Sequence, residues 1–216
     1  MSDKDATEKQ LEEYADVFSD VVNVLLFGGD EVIRPEELES LPPRSVYKAG
    51  SVLHEQERDV VKRWKKGNIR IAFLGLENQT EIDEDMPLRV ISYDGAAYRD
   101  ELNALKPGDE VDDGTEKRLQ FYPVITLVLH FDYENRWTAP RTLKECFPDI
   151  PEGLALYIND YKIHVFEIAW LPDETIAKFK SDFRFVADYY SQMRKTGKWQ
   201  IMPGKVRHVK ELFELF

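Results

Sequence analysis

The stretch Glu57-Arg58-Asp59-Val60-Val61-Lys62-Arg63-Trp64-Lys65-Lys66-Gly67-Asn68-Ile69-Arg70-Ile71-Ala72-Phe73-Leu74-Gly75-Leu76-Glu77-Asn78-Gln79 decides the fold. Residues 59–64 read as a strand, Lys65 to Asn68 as a turn with glycine supplying a permissive backbone, and Ile69 to Leu76 as the return strand. The unbroken apolar run Ile71-Ala72-Phe73-Leu74 predicts a strand covered on both faces. Side chains alternate along a strand, so Asp59 shares a face with Val61 and Arg63, and Glu77 with Gln79. With the mid-turn near Gly67, antiparallel counting sets Trp64 opposite Arg70 and Asp59 opposite Gly75. Glu77 then lies diagonally across from Asp59 on the same face, ~7–8 Å away. A slip of one residue would put the two acids on opposite faces.

Upstream, Leu11, Tyr14, Phe18, Val21, Val22 and Leu25 recur at helical spacing and predict an amphipathic helix over residues ~7–27. Gly28-Gly29 closes it. Pro35-Glu36-Glu37 predicts the start of a short second helix, stopped by Pro42-Pro43. Ser51 to Gln56 is the candidate for a further core strand. Downstream, Met86 to Leu105 predicts a long helix, residues 108–118 a polar acidic loop, and Phe121 to Phe131 a central strand with Pro123 at its start. Pro140 to Phe147 predicts a short helix, Tyr161 to Leu171 a strand, and Pro172 to Lys195 one long helix burying Ile176, Phe179, Phe183, Val186, Tyr190 and Met193. The chain closes on the amphipathic KVRHVKELFELF. The order is that of an α/β protein, with residues 1–135 as a core and 136–216 as a C-terminal α/β extension packed on it, or one domain over 1–216.

The chain has 216 residues, enough for a sizeable core, and its 43% apolar and 32% charged residues describe a globular protein. A single cysteine, Cys146, excludes an intrachain disulfide and a cysteine-rich zinc centre, and four scattered histidines show no metal-ligand spacing. The polar N-terminus is no signal peptide, and no apolar run is long enough to span a membrane, so a reducing cytoplasm is the expected location. The net charge of −12 argues against indiscriminate binding of nucleic acid, although a local basic strip or a bound cation would reverse the sign at a site.

Two carboxylates gathered at one hairpin end suit a hard divalent cation such as Mg²⁺, with Mn²⁺ or Ca²⁺ as substitutes, which takes oxygen ligands and activates water beside a phosphate. Asp59 and Glu77 are the expected metal ligands, and Gln79, two residues on, is placed to orient that water. Arg58, Lys62, Lys65 and Lys66, with Arg63 and Arg70, form a basic cluster that could meet phosphates. Arg89 shares a helix face with Tyr93 and could face the same cleft. A second basic group, from Arg194 to Lys210, reads either as an extension of that track or as charged helix ends.

The blocks Arg58 to Lys62, Leu76 to Thr80, Met86 to Val90 and Tyr93-Asp94 resemble the Rpn-type recombination-promoting nucleases, a transposase-like family. Phe18 to Phe27 resembles that family's opening helix, and Pro123 to Leu129 its fourth core strand. The resemblance implies a restriction-endonuclease-like PD-(D/E)XK core, metal ligation by Asp59 and Glu77, and a supporting acid at Asp20. Gln79 stands where a lysine is usual in the superfamily, which replaces a positive charge by an amide dipole. The expectation is a Mg²⁺-dependent DNA endonuclease of recombination or mobile-element biology, with DNA as partner, no membrane, and homo-oligomerisation left open. The alternatives are a catalytically weak nucleic-acid-binding or interaction domain that keeps the nuclease fold, and a regulatory or oligomerisation protein.

Overall fold

The computed structural model describes residues 10–42, 44–49, 52–57, 60–76, 83–104, 110–112, 117–119 and 121–215. Its centre is a five-stranded mixed sheet in the order β1 (Leu38–Ser40), β4 (Val60–Trp64), β5 (Ile69–Leu76), β8 (Val124–His130) and β9 (His164–Glu167). The β1–β4–β5 part is antiparallel, and β5, β8 and β9 run parallel. Two small antiparallel pairs stand apart from it, β2 (Arg44–Ala49) with β3 (Val52–Glu57), and β6 (Glu110–Asp112) with β7 (Lys117–Leu119). The strands expected over 59–64, 69–76 and 121–131 therefore lie in one mixed sheet, over residues 60–64, 69–76 and 124–130.

One face of this sheet is covered by α1 (Ala15–Phe27) and α5 (Phe183–Thr196), the other by α2 (Met86–Ala104). Alternation explains the division. Val60, Ile71, Leu127 and Leu129 are buried with Phe18, Val21, Phe183 and Val186 in the larger core, whereas Val128 turns the other way, to Met86, Val90, Trp137 and Ile163. Three short helices complete the chain: α3 (Glu152–Ala155), α4 (Asp173–Ile176) and α6 (Val209–Leu215).

Several expectations are corrected. The helix predicted over residues ~7–27 is interrupted at Tyr14, whose extended backbone separates helical residues 10–13 from α1. Tyr14 instead stacks on His208 at 3.7 Å and donates to Glu211. Gly28 does end α1, in the left-handed conformation at φ 64°. After Pro35 there is a single 3-10 turn over Pro35–Glu37 and then strand β1, not a helix. The core-strand candidate at Ser51 to Gln56 became β3, which pairs only with β2, and the edge place beside β4 belongs to β1. The acidic loop predicted at 108–118 contains β6 and β7.

Tyr161 to Leu171 holds a shorter strand, β9, followed by a 3-10 turn over Ile168–Trp170. Pro140 to Phe147 has a 3-10 turn at Lys144–Cys146. The single helix expected from Pro172 to Lys195 is two, α4 and α5, with a break over residues 177–182. Asp20, on α1, accepts from the Lys180 and Ser181 amides of the break at 2.8 and 2.7 Å, and Asp182, at its end, accepts from the Arg207 and His208 amides at 2.9 and 2.6 Å. The Asp20 bonds supply partners that a continuous helix would have drawn from its own carbonyls. Ile176, Phe179, Phe183, Val186 and Tyr190 are buried as expected, while Met193 is half-buried.

Candidate functional site

The hairpin turn holds the four residues expected, 65–68, but its centre lies between Lys66 and Gly67, so Trp64 faces Ile69, Arg63 faces Arg70 and Val60 faces Phe73. The expected pairing of Trp64 with Arg70 is thus off by one residue. The positive φ falls on Asn68, at 48°, not on the glycine. Gly67 is needed for a different reason: a Cβ there would stand 2.2 Å from the Trp64 ring. The Trp64 indole donates to Glu37 at 2.9 Å, and the Lys65 amide to the Glu37 carbonyl at 2.9 Å, which ties the turn to the chain preceding β1.

This register removes the alternation argument that put two acids on one face. Asp59, Glu77, Gln79 and Arg58 lie outside the described residues. What the described strands do establish is polarity. Because β4 runs antiparallel to β5, Val60 lies toward the same end of the hairpin as Leu76. Leu76 pairs with His130, and His130 with Glu167, so the carboxyl ends of three parallel strands line up beside that end. Among the described residues no group of three or more acids, histidines or cysteines could hold a metal.

The predicted basic cluster separates into two kinds of residue. Lys62, expected to contact phosphate, is 2% exposed. Its side chain donates to Ser40 Oγ at 2.8 Å and lies 5.6 Å from the Phe18 ring centroid. Burial pushes its pKa down, partly offset by Glu13. A side chain enclosed between β1 and α1 offers no contact to a polyanion, and that assignment is withdrawn. Arg63 and Arg70 also turn in: Arg63 stacks on Tyr122 at 5.5 Å, and Arg70 donates to the Ala97 carbonyl at 3.3 Å. Lys65 and Lys66 are exposed at the turn, with Lys66 3.6 Å from Glu37.

Arg89 is half-buried, paired with Asp83 and within 3.4 Å of the Tyr93 hydroxyl. Burial works against its charge, but the bonds to Tyr93 and Asp83 outweigh it and hold its pKa above the usual value. Asp20, on α1, places both of its amide bonds on Oδ2. It lines a cleft of ≈ 250 Å³ together with Asp16, Ser19, Lys180 and Arg207. The charges of this cleft pair with one another: Asp16 with Arg207 and His208, and Lys180 with Glu31 at 2.7 Å.

The polar groups that sequence reasoning missed lie on the α2 side and at the carboxyl end of the parallel strands. Asp94 of α2 is 2% exposed and accepts from Thr126 Oγ1 of β8 at 2.6 Å and from the Tyr161 hydroxyl. His130, 4% exposed, packs edge-on to Trp137, and its Nδ1 has no hydrogen-bond partner among the described residues. Burial pushes its pKa down. Glu167 receives both Arg136 and Arg141. The strand pattern of residues 124–130 and the resemblance block Tyr93-Asp94 were the hints available, because Asp94 and Glu167 meet their partners across tens of residues.

A sequence profile for the family described as Putative transposase, YhgA-like matches residues 59–212. The chain belongs to that family. The match bears out the resemblance to the Rpn-type proteins, and it associates the chain with mobile elements and with DNA as the class of partner. No curated protein and no solved structure matches the chain. No helix among the described residues is long and apolar enough to cross a membrane.

Proposed function

We propose that the chain is a divalent-metal-dependent DNA endonuclease, hydrolysing phosphodiester bonds in recombination or mobile-element biology, on a PD-(D/E)XK core. The observation that carries this reading is the polarity of the β4–β5 hairpin, inside the stretch the family match covers, with Asp59 immediately before β4 in sequence. Glu77 immediately follows β5 in sequence, and β4 begins at the end of the hairpin where β5 finishes. Asp59 and Glu77 are the proposed ligands. Two hard carboxylates suit Mg²⁺, which when bound polarises a phosphate oxygen and lowers the pKa of a water. Gln79 is proposed to orient the attacking water, Asp20 to support the site from α1, and Lys65 and Lys66 to hold DNA phosphates. Residues 1–135 would form the catalytic core and 136–216 its extension. The sharing of one apolar core by α1 and α5 supports close packing of the two parts.

The test is nicking of supercoiled plasmid in Mg²⁺ against EDTA. Asp59→Ala and Glu77→Ala should abolish it, Gln79→Ala should slow it less, and Gln79→Lys should keep or raise it. Equal cleavage by wild type and Asp59→Ala would overturn the assignment. The inward-turned Lys62, Arg63 and Arg70 favour a second reading, a catalytically weak interaction domain that keeps the nuclease fold, because they leave the hairpin only a small basic surface for phosphates. Absence of both metal-dependent nicking and salt-dependent DNA binding would establish that reading instead.

A further inference from the structure

Three arginines far apart in sequence meet at the carboxyl end of β9. Arg136 donates to both oxygens of Glu167 at 3.1 Å, and Arg141 to one of them at 3.4 Å and to the Val165 carbonyl at 3.4 Å. Arg136 and Arg194 both lie over the Trp170 ring, at 4.9 and 4.6 Å from its centroid. Arg194 is anchored by a bond from Nε to the Ala169 carbonyl at 2.8 Å. Three guanidinium groups thus converge on one carboxylate and its neighbouring indole, on a chain whose net charge is −12, while Glu145 beside them accepts from the Arg141 and Thr142 amides. Of the nearby acids, Asp132 is engaged by the Glu134 and Asn135 amides, and Asp173 pairs with Lys195. The Arg136 and Arg141 side chains remain 60% and 39% exposed.

We propose that Arg136, Arg141 and Arg194 form a phosphate-binding subsite for the backbone of duplex DNA. Arg136 and Arg194 are already oriented by stacking on Trp170, and Arg141 by its bonds to Glu167 and the Val165 carbonyl, so little side-chain freedom is lost when their outer N–H groups meet phosphate oxygens. The position fits. Ligands of open α/β sheets bind outside the carboxyl ends of the parallel strands. Glu167 is in register with His130 and Leu76, two strand spacings from the strand end that precedes Glu77. Two spacings are ~10 Å, which corresponds to roughly three base-pair steps along the axis of B-DNA. The inference rests on the proposed DNA-directed role for its choice of polyanion, but not on catalysis.

The test is fluorescence anisotropy of the full chain with a labelled 20-base-pair duplex in EDTA over a salt series, so that no cleavage enters the readout. Arg136→Gln combined with Arg194→Gln should weaken binding about tenfold near 0.1 M salt and reduce the salt slope by roughly 1–2, the change expected for one or two lost phosphate contacts. Arg136→Lys should keep most of that slope. Because Glu167 loses a partner in the double variant, wild-type protein supplies a second measurement. Phenylglyoxal labelling read by mass spectrometry should show Arg136 and Arg141 protected by duplex DNA. Unchanged slope in a folded variant, absence of protection, or tighter binding of a polyglutamate peptide of matched charge than of DNA would each overturn the proposal. Plasmid nicking that persists while protection is absent would sink this subsite and spare the nuclease. Protection without nicking would do the reverse.

Discussion

Under α1 and α5 the sheet presents Val60, Ile71, Leu127 and Leu129 to a continuous apolar core that reaches from Leu11 to Leu212. Under α2 the same strands present a small apolar cluster around Met86, Val90 and Val128, flanked by buried polar groups. There Thr126 and Tyr161 bond to Asp94, and the Tyr122 amide lies 3.2 Å from both oxygens of Glu101, a 5% exposed acid. Burial on the first face is non-directional and scales with area. On the second face much of the fit comes from hydrogen bonds that demand one geometry. The first face holds the molecule together, and the second fixes how α2 lies across β8, from Thr126 back to the chain that enters the strand at Tyr122.

The sharpest way to break this division is to remove one large side chain from the first face. Phe18 is 0% exposed and is packed within the larger core. Phe18→Ala should destabilise the protein by about 3–5 kcal/mol, the range for a buried aromatic cut to alanine. Urea unfolding would read it. On the second face, Asp94→Ala leaves the hydroxyls of Thr126 and Tyr161 without their acceptor, for a loss of about 1–3 kcal/mol. Asp94→Asn, which keeps an acceptor oxygen, should recover part of it. If Asp94→Ala proved costlier than Phe18→Ala, the α2 side would be the one on which stability rests, and the comparison would have to be inverted.

The same contrast explains what could be read in the residue order. Ile69 to Leu76 and the α2 helix were legible because burial on one or both sides leaves an apolar or periodic signature. β1 was not legible, because Leu38-Glu39-Ser40 has no apolar pattern and is held as an edge by Leu41 bonding to Val61 and by Glu37 bonding to Trp64. The register differed by one because the count centred the turn on Gly67, whereas the same four residues pivot between Lys66 and Gly67, with the positive φ on Asn68 and Gly67 fitted against an indole, neither of which a hydrophobic pattern encodes. The break between α4 and α5 is imposed by Asp20, some 160 residues away. Among the candidate site residues, family blocks pointed to Asp59, Glu77 and Gln79, while the arginines around Glu167 come together only through the fold.

Lys62 is the exception that sharpens the comparison, a charge on the apolar face. Its neighbour Ile71 is 2% exposed, and its aliphatic stem crosses Phe18 to reach Ser40. A sequence reading makes it a DNA contact, whereas the structure makes it a desolvated ammonium with one hydroxyl partner. Replacement of a buried charge by an apolar side chain of similar length is commonly neutral or stabilising. Lys62→Met should therefore leave stability at pH 7 unchanged or raise it by on the order of 1 kcal/mol, and should leave the salt slope of DNA binding untouched. The sign of the pH dependence follows from the lowered pKa. On alkalinisation the folded state gives up the Lys62 proton before the unfolded chain does. Wild type therefore gains stability as pH climbs toward the unfolded value of ~10.4, and loses that gain as pH falls through the folded pKa. The methionine variant has no such group, so its advantage should shrink between neutral pH and ~10. Paired urea titrations at the two pH values measure this small difference. An advantage that grows with pH would show that burial is not what sets the lysine's charge. A fall in the salt slope in Lys62→Met would return the residue to the DNA surface.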